Sequence, residues 1–90
     1  MPEISPRAYL RRIKNVRQGL LTRSRIIFLL SQSALTTQRL ASNIGLSQST
    51  IRRHLRNMAA EGIVEKRRVG GRVLWRLTGI GQRTLEEVAT

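Results

Sequence analysis

The segment from Thr36 to Gly62 constrains the fold of this chain more than any other part of the sequence. It contains two short stretches with a helical spacing of apolar residues, separated by Gly45-Leu46-Ser47. Glycine favours the left-handed conformation that ends many helices, and serine is a common residue at a helix start. The segment therefore predicts two short helices joined by a tight turn.

The second of these helices is amphipathic. We expect Ser47 to cap it and Gly62 to stop it, so that it runs to about Ala60. Polar and basic residues occupy the side opposite its apolar stripe, so that a helix packed on a small aliphatic core would present arginines outward. The stripe, with spacings of four and three residues, consists of Ile51, Leu55 and Met58.

The first helix of the segment, with Thr36 or Thr37 as its cap, is expected to end near Asn43. Its inward residues are Leu40, Ala41 and Ile44. Two further helices are predicted before it: one from Pro6, capped by Ser5, to about Gly19, and one capped by Thr22. The stripe of the earlier helix consists of Tyr9, Ile13, Val16 and Leu20. The later one has Ile26, Ile27, Leu29 and Leu30, with Phe28 packed on the earlier helix.

After Gly62 the apolar pattern alternates. Val64–Val69 and Arg72–Leu77 are predicted to be two strands around Gly70-Gly71, a pair typical of a hairpin turn. Thr78 then caps a last helix. The apolar face of that helix consists of Ile80, Leu85 and Val88 (or Ala89). The predicted fold class is therefore mainly α with a small β-hairpin.

The charge of the chain narrows the choice of partner. Its 90 residues include 17 basic and 5 acidic ones, and the formal net charge is +12. A compact domain with this charge repels itself, and a polyanion such as nucleic acid would neutralise it. Arginines that only solvate the surface, or an acidic membrane surface, are the alternatives.

The sequence contains no pattern typical of an enzyme, a metal site or a membrane protein. Cysteine is absent, and His54 is the only histidine, which cannot build a zinc site alone. Paired carboxylates and a nucleophile–histidine set are also missing. No apolar run approaches the roughly 20 residues that span a bilayer, and no secretory signal is visible. We therefore expect no enzymatic activity, cofactor, metal or membrane partner, and a cytoplasmic, nucleoid-associated location.

Three segments resemble parts of one known fold. Residues 25–30 (RIIFLL) resemble its first core helix, residues 40–55 (LASNIGLSQSTIRRHL) its helix-turn-helix, and residues 77–85 (LTGIGQRTL) the segment after its wing. This is the winged helix-turn-helix of prokaryotic transcription regulators, in particular the MarR-like and ArsR-like groups. The likeness covers residues 22–88. We therefore assign residues 22–90 to a winged helix-turn-helix domain and residues 1–21 to an N-terminal helical extension.

The chain also departs from both groups. ArsR-type metal sensors use cysteines, or clusters of histidine and carboxylates, which are missing here, so we expect no metal sensing. MarR-type proteins add long flanking helices that form a ligand cleft, whereas this chain has little beyond one N-terminal and one short C-terminal helix.

The resemblance implies a transcription regulator that binds double-stranded DNA sequence-specifically. Helix 48–60 would be the recognition helix and hairpin 64–77 a basic wing. With the apolar stripe inward, the outer face of the recognition helix would meet the major groove, where arginine pairs with guanine and glutamine with adenine. The expected base contacts are Gln48, Ser49, Arg52 and Arg53. The expected backbone and wing contacts are Thr37, Ser47, Thr50, Arg56, Arg67, Arg68 and Arg72. A solvated basic helix face is the alternative interpretation.

Arginines near Gly70-Gly71 could enter the minor groove, or could protect the hairpin edge against aggregation. Trp75 is expected in the core or as support for the wing. His54 is expected to be packed or to face phosphate rather than to act as a pH switch.

We expect a homodimer formed through the helix of residues 6–21, together with the last helix. Alternatively, the stripe of that first helix covers the chain's own core. Two other functions remain open: a sequence-tolerant DNA-coating or chromatin protein, and an RNA- or ribosome-associated winged-helix module.

Overall fold

Three helices, a hairpin and a last helix follow one another in the part of the chain that the structure describes. The structure, a computed structural model, describes the backbone of residues 6–89 and the side chains of residues 17–84. The elements are α1 (Pro6–Gln32), α2 (Thr37–Ile44), α3 (Gln48–Ala60), β1 (Val64–Val69), β2 (Arg72–Leu77) and α4 (Gly79–Ala89). The predicted class, mainly α with a small hairpin, is confirmed.

The predicted break between two N-terminal helices is wrong. One helix of 27 residues passes through both Gly19 and Thr22. Thr22 is buried, and its hydroxyl donates to the Gln18 carbonyl oxygen at 2.9 Å, so this residue bonds within the helix instead of capping one. A glycine costs a helix only about 1 kcal/mol, and packing of the following turns on the core offsets that cost. The predicted cap Ser5 lies outside the described residues.

The core lies between α1, α2, α3 and the base of the hairpin. Its five fully buried side chains are Ile26, Leu40, Ile51, Leu55 and Met58. Ala41 and Trp75 are buried against them, and Ile44 and Leu29 are half-buried at the margin. The predicted inward stripes of α2 and α3 are therefore confirmed.

Two predicted packing residues are instead exposed. Phe28 is 56% exposed, because two residues of helix turn it about 200° from the buried Ile26, and no separate helix folds back to cover it. Ile80 is 51% exposed, because α4 approaches the core through Gly81 instead. A Cβ atom at Gly81 would lie 2.2 Å from the carbonyl oxygen of Ile63. The other residues predicted for this face, Leu85 and Val88 (or Ala89), have side chains outside the described set.

The hairpin has the predicted strands and turn. β1 and β2 pair in antiparallel register from Val64 opposite Leu77 to Val69 opposite Arg72. Gly70 and Gly71 have φ values of 55° and 80°, as a two-residue turn of the type I′ kind requires. On its other edge β2 forms a bridge with Leu35, the residue before α2. The hairpin is thus tied to α2 as well as to the core.

No helix in the described part of the chain is both long enough and apolar enough to cross a membrane.

Candidate nucleic-acid interface

The turn between α2 and α3 has the geometry that its residues predict. Gly45 has a left-handed φ of 82°, and its N–H donates to the Ala41 carbonyl oxygen at 2.8 Å. Ser47 is the N-cap of α3 and accepts from the Thr50 N–H at 3.2 Å. The Ser47 hydroxyl also donates to the Thr50 hydroxyl at 2.9 Å. These bonds fix the direction in which α3 leaves α2.

The outer side of α3 is polar and accessible. Ile51, Leu55 and Met58 are fully buried, so the side chains about half a turn away face solvent. The exposed set contains all four predicted base contacts and one predicted backbone contact: Gln48, Ser49, Arg52, Arg53 and Arg56. The structure brings these five residues together along one helix face.

A groove of about 960 Å³ lies between α2, α3 and β2. It brings together Thr37, Arg52 and Arg72, which the sequence predicted as separate contacts. Arg39 of α2 also lines it, although this residue was not among the contacts predicted from the sequence. The signal was present, because inward Leu40 and Ala41 leave Arg39 on the outer side of a short helix.

The register of the wing separates two neighbouring arginines. Arg67 lies opposite Leu74, and Arg68 lies opposite Val73. Because successive residues of a strand point to opposite faces of the sheet, Arg67 and Arg68 leave the hairpin on different sides. The predicted wing contacts therefore do not form one cluster.

Carboxylates compensate little of the positive charge on these surfaces. The ion pairs among the described residues join Arg23 to Glu61, at 2.5 Å, and Arg76 to Glu65. Neither pair involves a predicted DNA contact. Within the described chain, the predicted contact arginines thus have no carboxylate at ion-pair distance, and their charge remains available to a polyanion.

His54 lies on the inner flank of α3, half-buried and close to Gly19 of α1. Burial, followed by the positive charges of Arg53 and Arg23, holds the pKa of its imidazole below the ordinary value of 6.5. The neutral form therefore prevails at pH 7, and His54 adds no charge to the arginine face.

Trp75 joins the wing to α2. Its side chain is buried, as expected for core or wing support, and its indole N–H donates to the Thr37 hydroxyl at 3.1 Å. The ammonium nitrogen of Lys66 lies 5.6 Å from the centre of the indole ring. The wing base is therefore fixed to the start of α2.

Several solved structures share this fold. The homodimeric winged helix-turn-helix DNA-binding domain of Mb0332 from Mycobacterium bovis (fragment 1–100), a possible ArsR-family transcriptional regulator, has a TM-score of 0.70 and 29% identity. The match covers 99% of this chain and 87% of that domain. Adhesin competence repressor (AdcR) from Streptococcus pyogenes has a TM-score of 0.71 and 18% identity, over 90% of this chain and 70% of that one.

Wild-type ZitR from Lactococcus lactis has a TM-score of 0.67 and 25% identity, over 76% of this chain and 46% of that one. ZitR has also been solved in complex with DNA, and that structure matches with a TM-score of 0.69, 22% identity and 76% and 49% coverage of the two chains. The match thus spans about half the length of the ZitR chains. The predicted winged helix-turn-helix fold is confirmed.

A search of curated proteins gives no match. The family model of bacterial regulatory proteins of the arsR family, in contrast, matches residues 22–66, which are half of the chain and include the whole helix-turn-helix. The chain therefore belongs to the ArsR family of bacterial regulatory proteins.

Proposed function

We propose that this chain is a transcription regulator that binds double-stranded DNA sequence-specifically, and that it is not an enzyme. One observation carries the proposal: α3 exposes a row of arginines opposite a fully buried stripe, directly after a tight helix-turn-helix bend. A helix held in this way can enter a major groove without losing its core contacts. The family of regulatory proteins to which the chain belongs supports the same conclusion.

Base recognition is assigned to the first two turns of α3. Gln48 and Ser49 begin the helix, and Arg52 and Arg53 follow one turn later, all of them exposed. Arginine can donate two parallel hydrogen bonds to guanine, and glutamine can pair with adenine; each good pair discriminates by about 1–3 kcal/mol. These four side chains would read the operator.

Phosphate contacts are assigned to residues around this helix. Arg56 lies further along α3, and Ser47 and Thr50 lie at its start. Thr37 and Arg72 line the groove beside α2. Arg67 and Arg68 would reach the backbone from opposite faces of the wing, since the register separates them. If about six phosphates are neutralised, the logarithm of the binding constant should fall with the logarithm of salt concentration with a slope of about −5.

A homodimer is proposed as the binding form. The Mb0332 domain, whose match covers 99% of this chain, is homodimeric. On α1, Leu20 is 60% exposed, and Leu21 and Phe28 are also exposed, which leaves apolar surface for a second copy. A two-fold dimer would place two recognition helices about 34 Å apart. Sedimentation that shows a monomer at high protein concentration would contradict this assignment.

We further propose that binding needs no metal or cofactor, and that the protein works in the cytoplasm, where its DNA target would lie. The sequence has no cysteine and one histidine. In the part of the chain that the structure describes, no group of three or more histidine, cysteine or carboxylate side chains could hold a metal ion.

Selection of bound duplexes from a random pool, at two salt concentrations, tests the function. We expect one enriched sequence with two-fold symmetry, and weaker binding at the higher concentration. Equal recovery of all duplexes at both concentrations would identify a DNA-coating protein instead. Preference for structured RNA over the duplex pool would identify an RNA-binding module.

A further inference from the structure

We propose that Trp75 is a positioning residue for DNA binding: its indole N–H orients the Thr37 hydroxyl so that this hydroxyl donates to a DNA phosphate. The inference rests on the proposed DNA-binding function and assigns a role to a buried residue of the wing base. Its starting point is the hydrogen bond of 3.1 Å from the indole nitrogen of Trp75 to the Thr37 oxygen.

Trp75 is fixed from both sides of its strand. Its backbone N–H donates to the Leu35 carbonyl oxygen at 2.8 Å, and its carbonyl oxygen accepts from the Leu35 N–H at 3.1 Å. On the other side it lies opposite Lys66, whose ammonium group is 5.6 Å from the indole centre. The ring is also buried. The direction of its N–H is therefore set by the fold and does not depend on a mobile side chain.

The chemistry of the pair leaves Thr37 with a hydrogen to donate. An indole N–H is only a donor, whereas a hydroxyl has one hydrogen and two acceptor lone pairs. When Thr37 accepts from Trp75, its own hydrogen remains free for another acceptor. Among the hydrogen bonds of the described residues, the Thr37 hydroxyl has no acceptor of its own.

The neighbouring Thr36 shows why Thr37 is suited to this role. Thr36 is the N-cap of α2, and its hydroxyl accepts from the Arg39 N–H at 3.1 Å. Thr37 is the first residue of the helix and has no capping bond of this kind. Of the two adjacent hydroxyls, one therefore stabilises the helix and the other is available to a ligand.

The surroundings of Thr37 suit a phosphate. Thr37 lines the groove between α2, α3 and β2, together with Arg39, Arg52 and Arg72. A phosphate that enters this groove would meet positive charge from two helices and the wing, and a hydroxyl donor held by Trp75. Because Trp75 belongs to β2 and Thr37 to α2, the same hydrogen bond also holds the wing at a fixed distance from the helix-turn-helix.

The test compares DNA affinities of the full chain and its variants for the selected duplex, at a temperature where circular dichroism shows every variant folded. Trp75→Phe removes the N–H and keeps an aromatic ring, and Thr37→Val removes the hydroxyl at nearly constant shape. We expect each to weaken binding about fivefold, as the loss of one hydrogen bond would. The double variant should be no weaker than Thr37→Val, and Thr37→Ser should recover most of the lost affinity.

Two controls separate positioning from stability and from charge. Ile26→Val removes a fully buried methylene of α1, so it should lower the melting temperature and leave DNA affinity unchanged. The salt dependence of binding should keep its slope in Trp75→Phe and Thr37→Val, because neither loses a charge. Arg72→Ala should reduce the slope by about 1.

The outcomes distinguish this inference from the function on which it rests. If the wild type binds the duplex and Trp75→Phe binds it equally well, the inference is overturned. A lower melting temperature of that variant would then show that Trp75 has only a structural role. Losses that multiply in the double variant would also overturn it, since the two residues would then act independently. If the wild type binds no duplex at all, the proposed function fails and the inference fails with it.

Discussion

The proposed recognition helix α3 and the wing are both basic, but the fold holds them in different ways. In α3 the residues opposite the arginines are fully buried, so the core determines where that face points. In the wing only the base is buried, through Val64 and Trp75, while Val69 and Val73 near the tip are 54% and 37% exposed. The core thus fixes α3, as the proposed base readout requires, while the projecting wing suits the proposed sequence-independent backbone contacts.

The first prediction tests the two elements by stability. Leu55→Ala in α3 should lower the free energy of unfolding by about 2–5 kcal/mol, because it opens a cavity in the core. In a domain of this size, each kcal/mol lost lowers the melting temperature by about 4–8 °C. The matched change Val73→Ala, near the wing tip, should cost less than about 1 kcal/mol. If thermal unfolding showed the same loss of stability in both variants, the core would not fix α3 more firmly than the wing tip.

The second prediction concerns the anchored base of the wing. Gly81→Ala would place a Cβ atom 2.2 Å from the Ile63 carbonyl oxygen and 2.9 Å from Leu77, so α4 must shift away from the hairpin. We expect the free energy of unfolding, measured by chemical denaturation, to fall by about 1–3 kcal/mol. Gly79→Ala is the control, since a Cβ atom there meets nothing within 4 Å and the change should cost little. Similar stabilities for the two variants would mean that α4 does not hold the wing base.

The third prediction separates base readout from backbone contact. Arg53→Ala should reduce discrimination between the selected duplex and a single-base variant of it by about 1–3 kcal/mol. Arg68→Ala should weaken binding to all duplexes about equally and reduce the salt slope by about 1. Fluorescence anisotropy titrations at several salt concentrations measure both quantities. If Arg53→Ala, like Arg68→Ala, weakened binding to all duplexes equally, Arg53 would contact no base.

The smallest expected effect is a pH dependence of stability that arises from α3. The folded state lowers the pKa of His54, so the unfolded chain binds a proton more readily as pH falls below 6.5. The stability that neutral His54 provides is present above that pH and is lost as pH falls towards the folded pKa. The groups that face the imidazole are Arg53 and Arg23, and Arg23 is paired with Glu61.

Melting temperatures between pH 7.5 and 5.5 measure this loss, and His54→Gln is the control. The wild type should lose stability over this range, and the variant should lose less. If His54→Gln had the same pH dependence as the wild type, the loss of stability at low pH would come from groups other than His54.

The sequence was most informative where local chemistry determines structure. The strand bounds, the Gly45 turn and the Ser47 cap all follow from residues whose preferences act over a few positions, and the structure has them as predicted. The break before Thr22 failed because glycine and threonine are only weak helix-ending signals, and packing on the core outweighs them. The same error explains why Phe28 was wrongly expected to pack on a separate earlier helix.

The candidate site was predictable only in part. The outer face of α3 follows from helical periodicity, and the separation of Arg67 from Arg68 follows from strand alternation once the turn is known. The groove that joins Arg39, Arg52 and Arg72 depends on how three elements meet. The bond between Trp75 and Thr37 joins residues 38 positions apart, which no local pattern reveals.

The central claim is that the exposed face of α3 enters a DNA groove. Its most direct test is a titration of ¹⁵N-labelled protein with the selected duplex, followed by amide chemical shifts. We predict that the largest shifts fall between Ser47 and Arg56, with a second, smaller set at the wing tip between Arg67 and Arg72. Largest shifts in α1 or α4, with residues 47–56 unchanged, would contradict the account.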